Sequence, residues 1–91
     1  MTVTGDNIVR IGKKPPMNYI SACVTLFNTG KDQIVVRARG RAITKAVDVV
    51  EMLRRSFIKK LKVKSINVDS DELMISGKNV TISIIEIFLE K

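Results

Sequence analysis

The chain has 91 residues, 45% of them hydrophobic but only 4% aromatic, with 16 Lys/Arg against 9 Asp/Glu and a pI near 9.9. That length suits one domain, residues 1–91, whose core must be built from Ile, Val and Leu and which gains from pairing with a copy of itself. The lone cysteine (Cys23) excludes an intrachain disulfide, the lack of histidine and of metal-ligand spacing removes the usual hydrolytic and metal chemistries, and no apolar run is long enough to cross a bilayer.

The expectation is a non-enzymatic cytoplasmic protein with no cofactor, no metal, no membrane partner and no signal peptide. The net charge of +7 points to an anionic partner, nucleic acid first. Its placement is more telling than its total. Residues 1–64 hold fourteen Lys/Arg and four Asp/Glu, whereas residues 65–91 hold two and five.

In chain order, residues 1–7 are polar and expected to fray. Ile8–Ile11 predicts a short strand, broken by Gly12-Lys13-Lys14-Pro15-Pro16. A helix follows over Pro16–Asn28, with Ile20, Cys23, Val24 and Phe27 at helical spacing, Pro16 in its first turn and Gly30 just past its end. No charge occurs from Pro15 to Gly30, which predicts a helix covered on most sides. Cys23 reads as a small core residue.

Gln33–Arg39 predicts a central strand, with Ile34, Val35 and Val36 as its apolar run. A second helix is expected over Ala42–Phe57. Ile43, Ala46, Val47, Val50, Leu53 and Phe57 form one face, and Glu51 and Arg55 are spaced to pair across a turn. The third strand opens at Lys59–Lys64. Its apolar phase changes near Ser65, which predicts a bulge, and Asp69–Glu72 reads as an acidic interruption. Asp69, Asp71 and Glu72 read as a solvated turn in preference to a cation site. Ser76–Asn79 is a turn and Val80–Leu89 a final strand apolar on both faces.

The order β-α-β-α-β-β predicts an α+β two-layer sandwich: a four-stranded mixed sheet with both helices on one face. Two helices leave the other side of the last strand bare, so a second copy of the chain is the expected cover.

The segment Val35–Val47, VVRARGRAITKAV, organises the rest. Arg37, Arg39 and Arg41 alternate around Gly40, which suits a sharp strand-to-helix turn. The helix start offers free N–H groups and a positive dipole end, to which Arg39, Arg41 and Lys45 add charge. Alone, the segment fits a solvated basic turn as well as a phosphate site. If the first two strands are parallel neighbours, however, the Lys13–Lys14 and Arg39–Arg41 turns share one end of the sheet and form a surface for phosphates, not base edges.

Ile11–Tyr19 (IGKKPPMNY) and Arg37–Asp48 (RARGRAITKAVD) resemble the two signatures of the archaeal Alba chromatin proteins, and Ser83–Ile87 is similar to their last strand. The resemblance runs from about Ile8 to Lys91. It implies a fold like the C-terminal domain of a bacterial translation initiation factor. It also implies sequence-nonspecific binding and compaction of double-stranded DNA, and binding of RNA, by a homodimer or by a heterodimer with a paralogue. It assigns nucleic-acid contacts to Lys13, Lys14, Arg39 and Arg41 and matches Asn18 and Tyr19 to its first motif. Lys45 and Lys78 complete the expected contact set. Lys13 or Lys14 is implied as an acetylation target, with a deacetylase as partner, in a chromosome-associated protein. Phe57 falls where the family's dimers meet, though a core position fits that residue equally. An RNA-binding subunit of an RNA-processing ribonucleoprotein is the implied alternative. The family's basic hairpin arm is expected to be short here, with Lys78 and Asn79 at its tip.

Overall fold

A computed structural model describes residues 3–4 and 7–91. The first helix, α1 (Pro16–Asn28), starts after Pro15, whose extended backbone precedes Pro16 at the helix's first position. It ends in a Schellman arrangement: Gly30, at φ +101°, donates to Phe27 O, and Lys31 donates to Leu26 O. Both ends thus follow from proline and glycine chemistry, and the span agrees with the expected one.

The strands are β1 (Val3–Thr4), β2 (Ile8–Arg10), β3 (Gln33–Arg39), β4 (Lys62–Ile75) and β5 (Lys78–Glu90), ordered β1-β2-β3-β5-β4 in one sheet. β2 and β3 are parallel and the other pairings antiparallel. The expected four strands are all present. The fifth, β1, lies in the segment expected to fray, where Val3 and Thr4 pair with Val9 and Ile8 along the free edge of β2. Residues 1, 2, 5 and 6 of that segment lie outside the described residues.

Both helices cover one face. Val9 and Ile11, Ile34, Val36 and Ala38, and Ile87 and Leu89 are buried beneath Tyr19, Ile20, Cys23 and Phe27 of α1 and Ala46, Val49, Val50 and Leu53 from the second helical segment. Each such large apolar side chain contributes about 1.5–3 kcal/mol relative to exposure. Cys23 is fully buried here, and burial pushes its thiol up to about 12.

The second helix, α2 (Ala42–Met52), continues into a π-helical turn, Leu53–Phe57, closed by Ile58 N donating to Leu53 O at 2.7 Å. Glu51 pairs with Arg54 at 2.8 Å, three residues on, in place of the expected Arg55. The packed face is also rotated from the expected one. Val49 is buried, whereas Val47 and Phe57 remain 43% and 47% exposed, because α1 and β3 cover less of α2 than its apolar arc could fill.

The expected bulge occurs between Val63 and Ser65. It brings Val63, Ile66 and Val68 onto one face despite their mixed parity, opposite Leu89, Ile87 and Ile85. The acidic stretch does not interrupt β4, which runs unbroken through Asp69–Glu72. Nor is the hairpin arm short. From Ser70↔Ser83 to Ile75↔Lys78, β4 and β5 pair only with each other, since β3 leaves β5 at Ile84. That gives an arm of about 20 Å at a strand's rise per residue and draws the molecule out to 45 Å. Its end is the two-residue turn Ser76-Gly77, both at positive φ (51° and 77°), as a type I′ hairpin turn requires.

Candidate nucleic-acid interface

Because β2 and β3 are parallel, the chain leaves both at the same end of the sheet. The loop after β2 carries Lys13 and Lys14, and the turn after β3 carries Arg41. There Gly40 sits at φ +55° and donates to Ser83 O at 2.8 Å, while its carbonyl accepts from Ile43 N. A left-handed residue lets the strand turn into α2 within two positions. Between the two connections lies a cleft of about 520 Å³, lined by Ile11, Gly12, Lys13, Arg39, Arg41, Ala42 and Lys45.

The loop is held from below and from the side. The Tyr19 hydroxyl accepts from Gly12 N at 2.9 Å and from Lys14 N at 3.0 Å. Glycine suits that approach, since a Cβ at Gly12 would stand 3.2 Å from the Tyr19 oxygen, tighter than ordinary van der Waals contact. The Lys45 ammonium donates to Gly12 O and to Lys14 O, both at 2.8 Å. Two side chains thus hold both the amides and the carbonyls of Gly12 and Lys14. They leave the Lys13 and Lys14 side chains exposed.

The expected contact residues therefore divide into groups. Lys13, Arg39, Arg41 and Lys45 surround one cleft, with Lys14 beside it. Asn18 is exposed in the first turn of α1. Tyr19 lies out of a ligand's reach: it is 1% exposed, and its hydroxyl is spent on the loop. Its ring belongs to the core, so the aromatic of the first motif shapes the site and does not line it. Lys45 spends two of its three donors on the loop, which makes it a clamp with one donor left over. Lys78 stands at the far end of the arm, away from the cleft. Residues 70–83 carry Asp71 and Glu72 against Lys78 alone.

Sequence reasoning missed the role of Gly12 and the pairing of Tyr19 with the loop. A glycine directly before two lysines, seven residues ahead of a tyrosine, was the only signal of it. It also missed Arg10, which stands opposite Arg37 across the parallel ladder on the face without helices. The period-two pattern of each strand put both there, but only the register makes them neighbours. Phe57 is 47% exposed beside Arg54 and Arg55, so it is not a core residue.

A second surface is apolar. A groove of about 280 Å³ runs between α2 and the hairpin, with Val47, Val50, Ile66 and Ile85 among its lining and Glu51 and Arg54 at its rim. Ile66 and Val68 beside it are 57% and 71% exposed.

The family model described as Alba matches residues 7–70. A DNA/RNA-binding protein Alba of Methanocella arvoryzae is 41% identical over 87 residues, covering 94% of this chain and 91% of the relative. One of Methanococcus maripaludis is 46% identical over 88 residues, covering 94% and 99%. Among solved structures, Alba from Thermoplasma volcanium superposes with a TM-score of 0.89 at 44% identity, covering 93% of this chain and all of that one. ALBA1 from Trypanosoma brucei gives 0.81 at 30% identity, covering 98% and 72%.

Proposed function

The chain belongs to the Alba family, and on that premise we propose that it binds double-stranded DNA and RNA as a dimer, without strong sequence preference, and compacts DNA on the chromosome. The observation that carries this reading is the cleft at one end of the sheet. Lys13, Arg39 and Arg41 converge there on the N-terminus of α2, and Tyr19 and Lys45 hold the loop in shape. Ammonium and guanidinium groups beside free amides recognise phosphates and carry no base readout. The relatives' names, which state DNA and RNA binding, support the same class of ligand.

The dimer rests on the apolar groove, on the helix side of the sheet, in place of the bare side of the last strand expected from the sequence. Val47, Ile66 and Val68 expose contiguous hydrocarbon that a monomer of this size gains by covering, and a second copy brings the same patch. A twofold pair doubles the basic cleft. Phe57, exposed outside that groove, is the residue we assign to contact between dimers. Acetylation of Lys13 or Lys14, reversed by a deacetylase, would remove and restore one charge at the cleft.

The test is a salt titration of binding to a short DNA duplex and to a structured RNA. For a Lys13→Ala/Lys14→Ala/Arg41→Ala variant, the log–log slope on duplex DNA should fall by ~0.9 for each phosphate no longer neutralised. A folded variant that binds both ligands as the parent does refutes the cleft. A parent chain that sediments as a monomer at micromolar concentration refutes the dimer.

A further inference from the structure

The face of the sheet that carries no helix is not bland. Arg10 on β2 and Arg37 on β3 are direct neighbours in the parallel register, and Arg39 follows on the same face of β3. Two guanidinium groups side by side repel unless an anion stands between them. Among the described residues the acid opposite Arg37 by register is Glu86 on β5, yet it accepts from Asn67 Nδ2 at 3.2 Å. Among the described residues the one ion pair is Glu51–Arg54, on α2 and its π turn. Arg37 Nε is buried and has no hydrogen-bond partner among the described residues. Buried donors are normally satisfied, and Nε is one prong of the fork that grips a phosphate. Arg10, Ile11, Arg37, Ala38 and Arg39 line a depression of about 270 Å³. Ile11 and Arg39 also line the loop cleft, so the two basins meet along the edge of the sheet.

The path from one basin to the other turns from the end of the sheet onto its broad face. A duplex is stiff over about 50 nm and keeps to one of these surfaces. A single strand bends within a nucleotide or two and follows both. We propose that Arg10 and Arg37 form a second phosphate-binding site, for single-stranded nucleic acid, which continues the cleft's track over the sheet edge. This rests on the cleft being a phosphate site. It adds a strand preference that the cleft alone does not confer: the Arg10–Arg37 site raises affinity for single strands and is silent to duplex.

The experiment measures binding of an unpaired oligouridylate of about twenty nucleotides and of a DNA duplex of equal length, across a salt series. Arg10→Gln, at an exposed strand position, should weaken oligouridylate binding about tenfold, the size expected when one charge-assisted hydrogen bond is removed. Its slope should drop by ~0.7, and duplex affinity should stay within about twofold. Arg37→Lys keeps the charge, removes the fork and should move single-strand affinity alone in the same direction. It serves as the second variant if Arg10→Gln does not fold. Equal weakening on both ligands overturns the proposal, since the arginines would then act only through the general field. No weakening on oligouridylate overturns it too. The Lys13→Ala/Lys14→Ala/Arg41→Ala variant separates the two readings. Retained duplex binding there sinks the cleft, whereas abolished duplex binding with an unaffected Arg10→Gln sinks only the second site.

Discussion

Replacing Tyr19 by Phe removes one oxygen and no charge. That oxygen accepts from Gly12 N at 2.9 Å and from Lys14 N at 3.0 Å, so two amide donors lose their partner at once. An unsatisfied buried donor costs about 1–3 kcal/mol. Both bonds are only part-buried, and water recovers some of the loss, so the low end applies: about 1–2 kcal/mol for the pair. For a domain of this size each kcal/mol lowers Tm by about 4–8 °C. The ring itself stays packed in the core. The loop then samples released shapes, and phosphate binding must reorder it. Each kcal/mol of that reordering weakens binding by about fivefold at most. The decisive readout is the salt slope. No cation has been removed, so the slope on duplex DNA should equal the parent's while the whole line shifts to weaker binding. Amide exchange at Gly12 and Lys14 should accelerate. A slope reduced by ~0.9 would mean that Tyr19 touches the ligand itself. Unchanged affinity together with unchanged exchange would mean that the hydroxyl holds nothing.

Lys45→Met keeps the aliphatic stem and deletes the clamp on Gly12 O and Lys14 O; affinity should fall several-fold with a slope change smaller than that of Lys13→Ala, and a full drop of ~0.9 would return Lys45 to the direct contacts. Cys23 gives a pH signature, because its thiol is pushed up to about 12 by burial from an ordinary 9.0. The unfolded thiol ionises first as pH rises, so stability is full below pH 9 and falls from there toward pH 12, by at most ~1.4 kcal/mol per pH unit. Chemical denaturation of the parent and of Cys23→Ala from pH 8 to pH 11 should show the parent losing more, and parallel profiles would refute the assignment.

The elements legible in the sequence were those with local punctuation. Pro16 and Gly30 bound α1 because each acts on its own backbone. The Val63/Ser65 bulge was visible because a switch of apolar parity has to be absorbed somewhere. What escaped was set by partners distant in sequence. The acidic stretch Asp69–Glu72 looked like an interruption, since charge and strand seldom coincide. It is strand because each residue there has a rung on β5, and an arm standing clear of the body exposes both faces to water. The π turn at Leu53–Phe57 has no marker in its residues, and the choice of Arg54 over Arg55 by Glu51 is one of two spacings that a helix allows equally. The basic residues of the cleft were all legible by type and spacing. Their division into contacts, clamps and props was not, because that depends on where the Tyr19 hydroxyl and the Lys45 ammonium point.

That division bears on how a flat electrostatic surface becomes a site. Lysine side chains on a free loop attract phosphate but surrender entropy on binding, which erodes the Coulomb gain. Here the backbone beneath Lys13 and Lys14 is fixed by neutral and charged groups that need not touch the ligand. The cost of order is met during folding, by a tyrosine whose ring is core and whose tip is scaffold. Charge number then sets the steepness of the salt dependence, and the scaffold sets its height. The two are separately mutable: a variant at Lys13 tilts the line, a variant at Tyr19 displaces it. A surface that worked by net charge alone would tilt with each cation removed and would not respond to Tyr19→Phe at all.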